Sequence, residues 1–297
     1  MNPTLRAYLQ IHTAVVLFGF TGILGDLIDL PKPTLVWWRM GLACIGLLAL
    51  PLFTRGKGFV QKSRDIPAKR KLTMFGIGGI IAVHWITFFG GIALTNVSVA
   101  LACMATASFF TAILEPLIMP RKFKWYELAL GIVVVPGVML IYRSTDFEFW
   151  GILVSLISAF LAALFSILNK KYVTEYDTTA VTFLELGSGW VILSLFLPFF
   201  YYFNEPMAFM PHDWDLLWLG LLAFVCTSFA FVISLAALRV LSTFVTNLTI
   251  NLEPVYTIIL AFFLFAEHKE LDLLFYPGAG IIILAVFAHP FFEKRFG

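Results

Sequence analysis

Glu253 is the residue whose surroundings are hardest to reconcile with a passive role. It lies inside an apolar run over 243–265 and is followed directly by Pro254. A carboxylate in hydrocarbon is costly unless it is neutral, paired or facing water. A proline removes a backbone donor and kinks a helix about one turn earlier. A charge and a break at one depth predict a cavity. Two readings of Glu253 stay open: a protonatable or ligand-facing group, and a permanently neutral carboxyl hydrogen-bonded to a neighbouring helix. Asn247 and Asn251 precede it, and Tyr256 and Thr257 follow. Thr257 shares its helix face at i+4, whereas Asn251 shares it only if the break rotates it there.

Other polar or aromatic groups also lie inside apolar runs. His84 falls mid-run, and an imidazole titrates near neutrality, which suits proton transfer or a ligand contact. The alternative is a satisfied structural histidine. Trp85 and Phe88 lie next to it or one turn on, offering an aromatic wall to an apolar or cationic moiety. Arg39 and Glu185 each sit about a turn and a half inside a run. Arg39 is suited to a carboxylate, or else snorkels to the interface. Ser98, Thr106, Ser108 and Thr111 form a stripe of small polar residues that reads as helix packing.

These residues must be positioned by membrane helices. Of 297 residues, 60% are hydrophobic and 13% charged, where soluble chains carry roughly a quarter charged. Apolar runs long enough to span a bilayer number about ten: 8–25, 35–53, 72–94, 97–119, 125–142, 150–168, 180–203, 216–237, 243–265 and 273–292. The link 54–71 holds seven Lys and Arg residues, which places it in the cytoplasm. Alternation then puts Arg121, Lys122, Lys124, Lys170, Lys171, Lys294 and Arg295 on the same side. Asp26, Asp29, Asp146, Glu148, Glu267 and Glu270 fall outside, and both termini are expected in the cytoplasm. Trp125, Trp150, Trp214 and Trp218 fall at run ends, as interfacial anchors do. Cys44, Cys103 and Cys226 lie in apolar runs without metal-ligand spacing and read as packing residues. The net charge of +2 is too small to argue for a nucleic-acid partner, and no metal or cofactor is implied.

Short matches recur about 144–147 residues apart, among them Ala93-Leu94…Ser98 with Ala237-Leu238…Ser242 and Gly131 with Gly278. Five runs per half is odd, so the halves enter from opposite faces. The expected fold is an all-α integral membrane protein of two inverted five-helix repeats, 1–145 and 146–297, with a site between them near mid-membrane. The tripeptide Leu-Glu-Pro also occurs twice, at 114–116 and 252–254, but 138 residues apart. In the repeat register Glu253 aligns with Phe109, which predicts Phe109 and Phe110 on the wall facing it. Glu115 lies about six residues before Arg121, roughly 9 Å along a helix, within reach of Arg121 or Lys122.

At this point the chain resembles the drug/metabolite transporter superfamily, in its EamA-type branch. The residues that carry the likeness are Ala237-Leu238, Leu252-Glu253-Pro254, Glu267 and Gly278, with Trp37-Trp38-Arg39-Met40 and Ala93-Leu94…Ser98 in the first half. Pro120-Arg121-Lys122 departs from the acidic residue the family has after its fourth helix. The resemblance implies export or exchange of small metabolites, commonly amino acids, often with protons as coupling ion. On it we expect an inner-membrane secondary transporter and not an enzyme, working as a monomer or weak homodimer in the lipid bilayer. The expected contacts are Glu253, His84, Asn251, Asn247, Arg39, Trp85, Phe88, Tyr256 and Glu185. An intramembrane enzyme would need a Ser/His, paired-acid or metal constellation at one depth, and the five histidines are scattered. A passive channel would need a selectivity filter, and none is recognisable.

Overall fold

The computed structural model describes residues 2–53, 58–95, 97–141, 149–204, 208–256 and 274–296. Helices α1 (Pro3–Leu27), α2 (Lys32–Phe53), α3 (Phe59–Asp65) and α4 (Ala68–Leu94) lead into a divided pair, α5 (Val97–Met104) and α6 (Thr106–Ile118). Then come α7 (Trp125–Ile141), α8 (Phe149–Glu175), α9 (Thr178–Phe203) and α10 (Asp215–Gly220). A π-helical segment, Leu221–Phe229, joins α10 to α11 (Ala230–Val240); α12 (Thr243–Ile250) and α13 (Phe275–Phe296) complete the set.

Among the described residues, seven helices are long and apolar enough to cross a membrane. Trp125–Leu140 is apolar but shorter, and the run expected over 243–265 is described only to Tyr256. The chain is a multi-pass membrane protein. Its outward surface agrees: Leu195, Phe199, Tyr202, Leu284 and Phe287 are all largely exposed, an apolar surface only lipid would cover. Trp125, Trp150 and Trp214 stand exposed at the starts of helices, whereas Trp218 packs on the core.

Two apolar clusters hold the helices together. One joins α2, α4, α8, α9 and the π segment through residues such as Met40, Ile81, Leu186 and Leu222. The other joins α1, α7, α12 and α13 through Ile11, Val134, Phe244 and Ile282. Gly78 on α4 permits a close approach to α9 in the first cluster. A Cβ there would collide with the Glu185 backbone oxygen and the Ser188 hydroxyl of α9.

Three interruptions shape the interior. Pro254 cannot donate to the Ile250 carbonyl and its ring crowds it. Accordingly α12 stops at Ile250, Asn251 and Leu252 bond back by three residues to Leu248 and Thr249, and helical turns resume at 253–256. In the first half the chain is interrupted at Ala105, between α5 and α6. Ala105 and Asn251 are 146 positions apart, within the offset of the sequence matches. The third interruption is the π segment. There Thr227 and Ser228 hydroxyls donate back five residues, to the Leu222 and Ala223 carbonyls.

Candidate functional site

The two broken helices meet. The Asn251 amide donates to Ser108 Oγ at 3.0 Å and to the Ala105 carbonyl at 3.4 Å. One turn earlier, Asn247 donates to Thr111 Oγ1 at 2.7 Å and accepts from Ser166 Oγ at 3.3 Å. Asn247 lies on α12 and Asn251 one position past its end, and both amides reach α6. They tie α12 to α6 and α8, and the polar stripe of α6 turns out to be their partner.

Beside this junction lies a cavity of about 140 Å³. That is the scale at which a cavity of about 150 Å³ holds a benzene-sized molecule. Its polar lining includes Arg39, His84, Asn247, Asn251 and Glu253; its aromatic lining is Phe18, Trp85, Phe88, Phe165 and Phe231. Seven of the nine residues expected from sequence are thus brought together. The break answers the question of Asn251: with the helix stopped at Ile250, Asn251 and Glu253 both face the cavity.

Arg39 does not snorkel. It is buried, with its guanidinium 4.0 Å over the Trp85 ring, and Nε donates to Thr227 Oγ1 at 2.7 Å. Thr227 belongs to the π segment, so that segment supplies the acceptor of Arg39 Nε. Among the described residues, Arg39 Nη1 has no hydrogen-bond partner. Arg39 and Glu253 come from different halves, line the same cavity and act on each other electrostatically.

His84 is held from one side. Its Nδ1 lies 2.9 Å from the Ser158 carbonyl. A carbonyl can only accept, so Nδ1 carries a proton and the neutral ring has its lone pair on Nε2. The Ser158 hydroxyl, 2.8 Å from Nδ1, also donates to the His84 carbonyl at 2.9 Å. Phe88 and Phe165 flank the ring, with centroids 6.4 and 5.3 Å away.

Two expected residues lie elsewhere. Tyr256 is absent from the cavity lining because its hydroxyl is engaged with His12 Nδ1 on α1, at 2.8 Å. Glu185 is wholly buried between α9 and its neighbours, where Oε2 accepts from Asn169 at 3.1 Å. Phe109 and Phe110 do not face Glu253 either: neither lines the cavity, and Phe110 packs on Phe160. Repeat register gives equivalent positions, not facing ones. Thr257 and Glu267 lie outside the described residues.

Sequence reasoning missed Phe18, Phe165, Phe231 and Thr227. The phenyl rings carry no mark that separates cavity from core, and Thr227 depends on a π segment with no sequence signature.

Glu115 sits apart from the cavity, in an ion cluster. Arg121 pairs with both Glu115 and Glu127, and His289 Nε2 lies 3.6 Å from Glu127. Burial alone would lower the Arg121 pKa, but the Glu115 and Glu127 carboxylates more than offset it and the net shift is upward.

Comparison with known proteins accords with this architecture. The EamA-like transporter family matches twice, over residues 5–143 and 149–288. The chain is 24% identical to an uncharacterized transporter of Archaeoglobus fulgidus, over 96% of each chain. It is 23% identical to the uncharacterized transporter YyaM of Bacillus subtilis, over 93% of each. A solved structure titled only as a crystal structure of a protein superimposes with a TM-score of 0.77 at 15% identity, covering 97% of this chain and 98% of that one. With both halves of the sequence matched, the chain belongs to the EamA-like transporter family.

Proposed function

We propose that this membrane transporter is an alternating-access secondary carrier of the inner membrane, with both termini cytoplasmic, that exports or exchanges small organic metabolites of the amino-acid class in a proton-coupled cycle. The observation that carries the reading is the cavity itself. It offers a buried guanidinium whose Nη1 has no partner among the described residues, a carboxylate from the other half, two amides and a ring of aromatic side chains. Arg39 suits a carboxylate, Glu253 suits an ammonium or a proton, and Phe88, Phe165 and Phe231 suit an apolar side chain. Interrupted helices beside a central site are the usual means by which such carriers expose backbone and polar groups to a substrate. The halves, 1–145 and 146–297, would then rock about the junction of α6 and α12.

A thermal-shift screen of the purified protein against amino acids, nucleosides and amines tests the class. A ligand at 100 times its Kd adds about 2.7 kcal/mol of apparent stability, so an amino-acid hit with no response to nucleosides is expected. Accumulation of that hit in cells with and without the protein, repeated after collapse of the proton gradient, tests the coupling. Transport that persists unchanged without the gradient removes the proton from the cycle.

A further inference from the structure

Two buried oxygens, one on Glu185 and one on Asn169, lack donors among the described residues. Glu185 and Asn169 are both fully buried, and the Asn169 amide nitrogen donates to Glu185 Oε2 at 3.1 Å. Among the described residues, the remaining oxygen of each, Glu185 Oε1 and Asn169 Oδ1, has no partner. Both groups are planar and already joined by one bond. An ionised carboxylate here would leave two bare acceptors in an apolar interior, which is costly. One proton resolves both: on Oε1 it makes an O–H whose natural acceptor is Asn169 Oδ1.

No other charge is placed to do this work. Among the described residues, no charged side chain acts on Glu185. From the elements packed on α9, Arg39 of α2 and His84 of α4 line the cavity, and Arg239 of α11 is exposed. Lys170 of α8 is spent on the Leu238, Arg239 and Leu241 carbonyls. Cys44 of α2 lies against Gly187 and is neutral as a thiol. The pair is nonetheless near the cavity. Ser166, which lines it and donates to Asn247, is three residues before Asn169 on α8, and i and i+3 are surface neighbours on a helix.

We propose that Glu185 and Asn169 form an occluded proton-binding site, one helical turn along α8 from the substrate cavity and distinct from Glu253. A proton arriving from the cavity adds to Glu185 Oε1 and neutralises the carboxylate. The new O–H donates to Asn169 Oδ1, and on release the proton returns to cavity water. Glu185 also lies where its backbone meets Gly78 of α4, the helix that carries His84, Trp85 and Phe88. The site deepens the proton-coupled reading above and rests on it for its role in transport.

Infrared difference spectra of the purified full chain, between acid and alkaline buffers, test the site without a substrate. A protonated-carboxyl carbonyl band should vanish in Glu185→Gln, persist in Glu253→Gln and shift in Asn169→Leu, which removes the Oδ1 acceptor. A full set of bands in Glu185→Gln overturns the proposal. So does a band removed by sodium chloride and not by choline chloride, because the pair would then hold a sodium ion. If Glu185→Gln fails to reach the membrane, the Asn169→Leu spectrum decides alone, and an unshifted band there overturns the proposal. Gradient dependence is scored separately: its absence with the band in place sinks the coupling reading and leaves the proton site standing.

Discussion

In Leu114-Glu115-Pro116 the proline sits inside α6, which runs on to Ile118, and the carboxylate pairs with Arg121. In Leu252-Glu253-Pro254 the helix has stopped before the tripeptide begins, and the carboxylate faces a cavity. The same three residues thus give a structural ion pair in one half and a cavity carboxylate in the other. What differs is depth and company. Glu115 lies about one and a half turns from a basic link that supplies a cation. Glu253 has Arg39 across the cavity instead, and Asn247 and Asn251 anchor the helix just before it.

The largest effect should come from removing the cation that satisfies Glu115. Arg121→Ala strands two carboxylates, Glu115 and Glu127, both nearly fully buried. Breaking a buried pair from one side costs about 3–5 kcal/mol. Because a fifth of the Arg121 side chain is exposed, the lower figure is expected, read as a drop in thermal stability in detergent. The pH sign follows from the upward shift. A group whose folded pKa is raised above its unfolded value contributes fully below the unfolded value and loses its contribution only as pH rises through the folded one, and for a guanidinium both lie far above neutrality. The stability that the Arg121 cation supplies should therefore be unchanged from neutral pH to about pH 9. A stability equal to wild type in Arg121→Ala would show that the cluster is ornamental and erase the contrast.

Next in size is a pair of matched substitutions. Glu253→Gln should lower gradient-driven accumulation by about tenfold or more, equivalent to 1.4 kcal/mol, while the protein stays folded in the membrane. Glu115→Gln should do the reverse: lower stability, with transport per folded molecule retained. Equal transport defects in both would mean that the two carboxylates share a role that their positions do not suggest.

A smaller effect is expected at the junction of the broken helices. Asn251→Leu removes the donor to Ser108 and Ala105 and should cost about 1 kcal/mol per hydrogen bond lost. Ser108→Ala removes only one of those partners and should cost less. If the two substitutions cost the same, Asn251 is not what joins the breaks.

How far these arrangements were legible depends on the kind of signal each residue gives. Arg39, His84, Asn247, Asn251 and Glu253 announce themselves because a polar group in an apolar run needs a reason. The family likeness follows from spacing that survives at low identity. Phe165 and Phe231 give no such signal: a phenyl ring facing a cavity, a core or lipid is the same letter. Glu185 was read with the cavity residues because it too is a charge inside an apolar run, and its partner, Asn169, sits on another helix. Facing could not be taken from repeat register, since each interruption adds a rotation. That is why Phe109 and Phe110 were expected where Phe165 and Phe231 stand.

The smallest effect isolates the prolines. Pro116 is accommodated within a continuous α6, so Pro116→Ala restores a backbone donor where the helix already has the geometry to use it. One recovered hydrogen bond contributes about 0.5–1.5 kcal/mol, and crowding against the preceding turn is relieved as well. Pro116→Ala should therefore raise stability slightly and leave transport alone. Pro254→Ala has a different outcome. It lets α12 continue through Asn251 and Leu252, which now bond back by three residues. Continuing the helix rotates Asn251 and Glu253 relative to each other, because residues two apart on a regular helix do not share a face. Stability should change little, since a regained backbone bond is offset by the loss of the Asn251 contacts to Ser108 and Ala105. Accumulation of substrate should fall, and the fall should not be additive with that of Glu253→Gln, because both act on the same carboxylate. Additive defects would place the proline break and the cavity carboxylate in separate steps of the cycle.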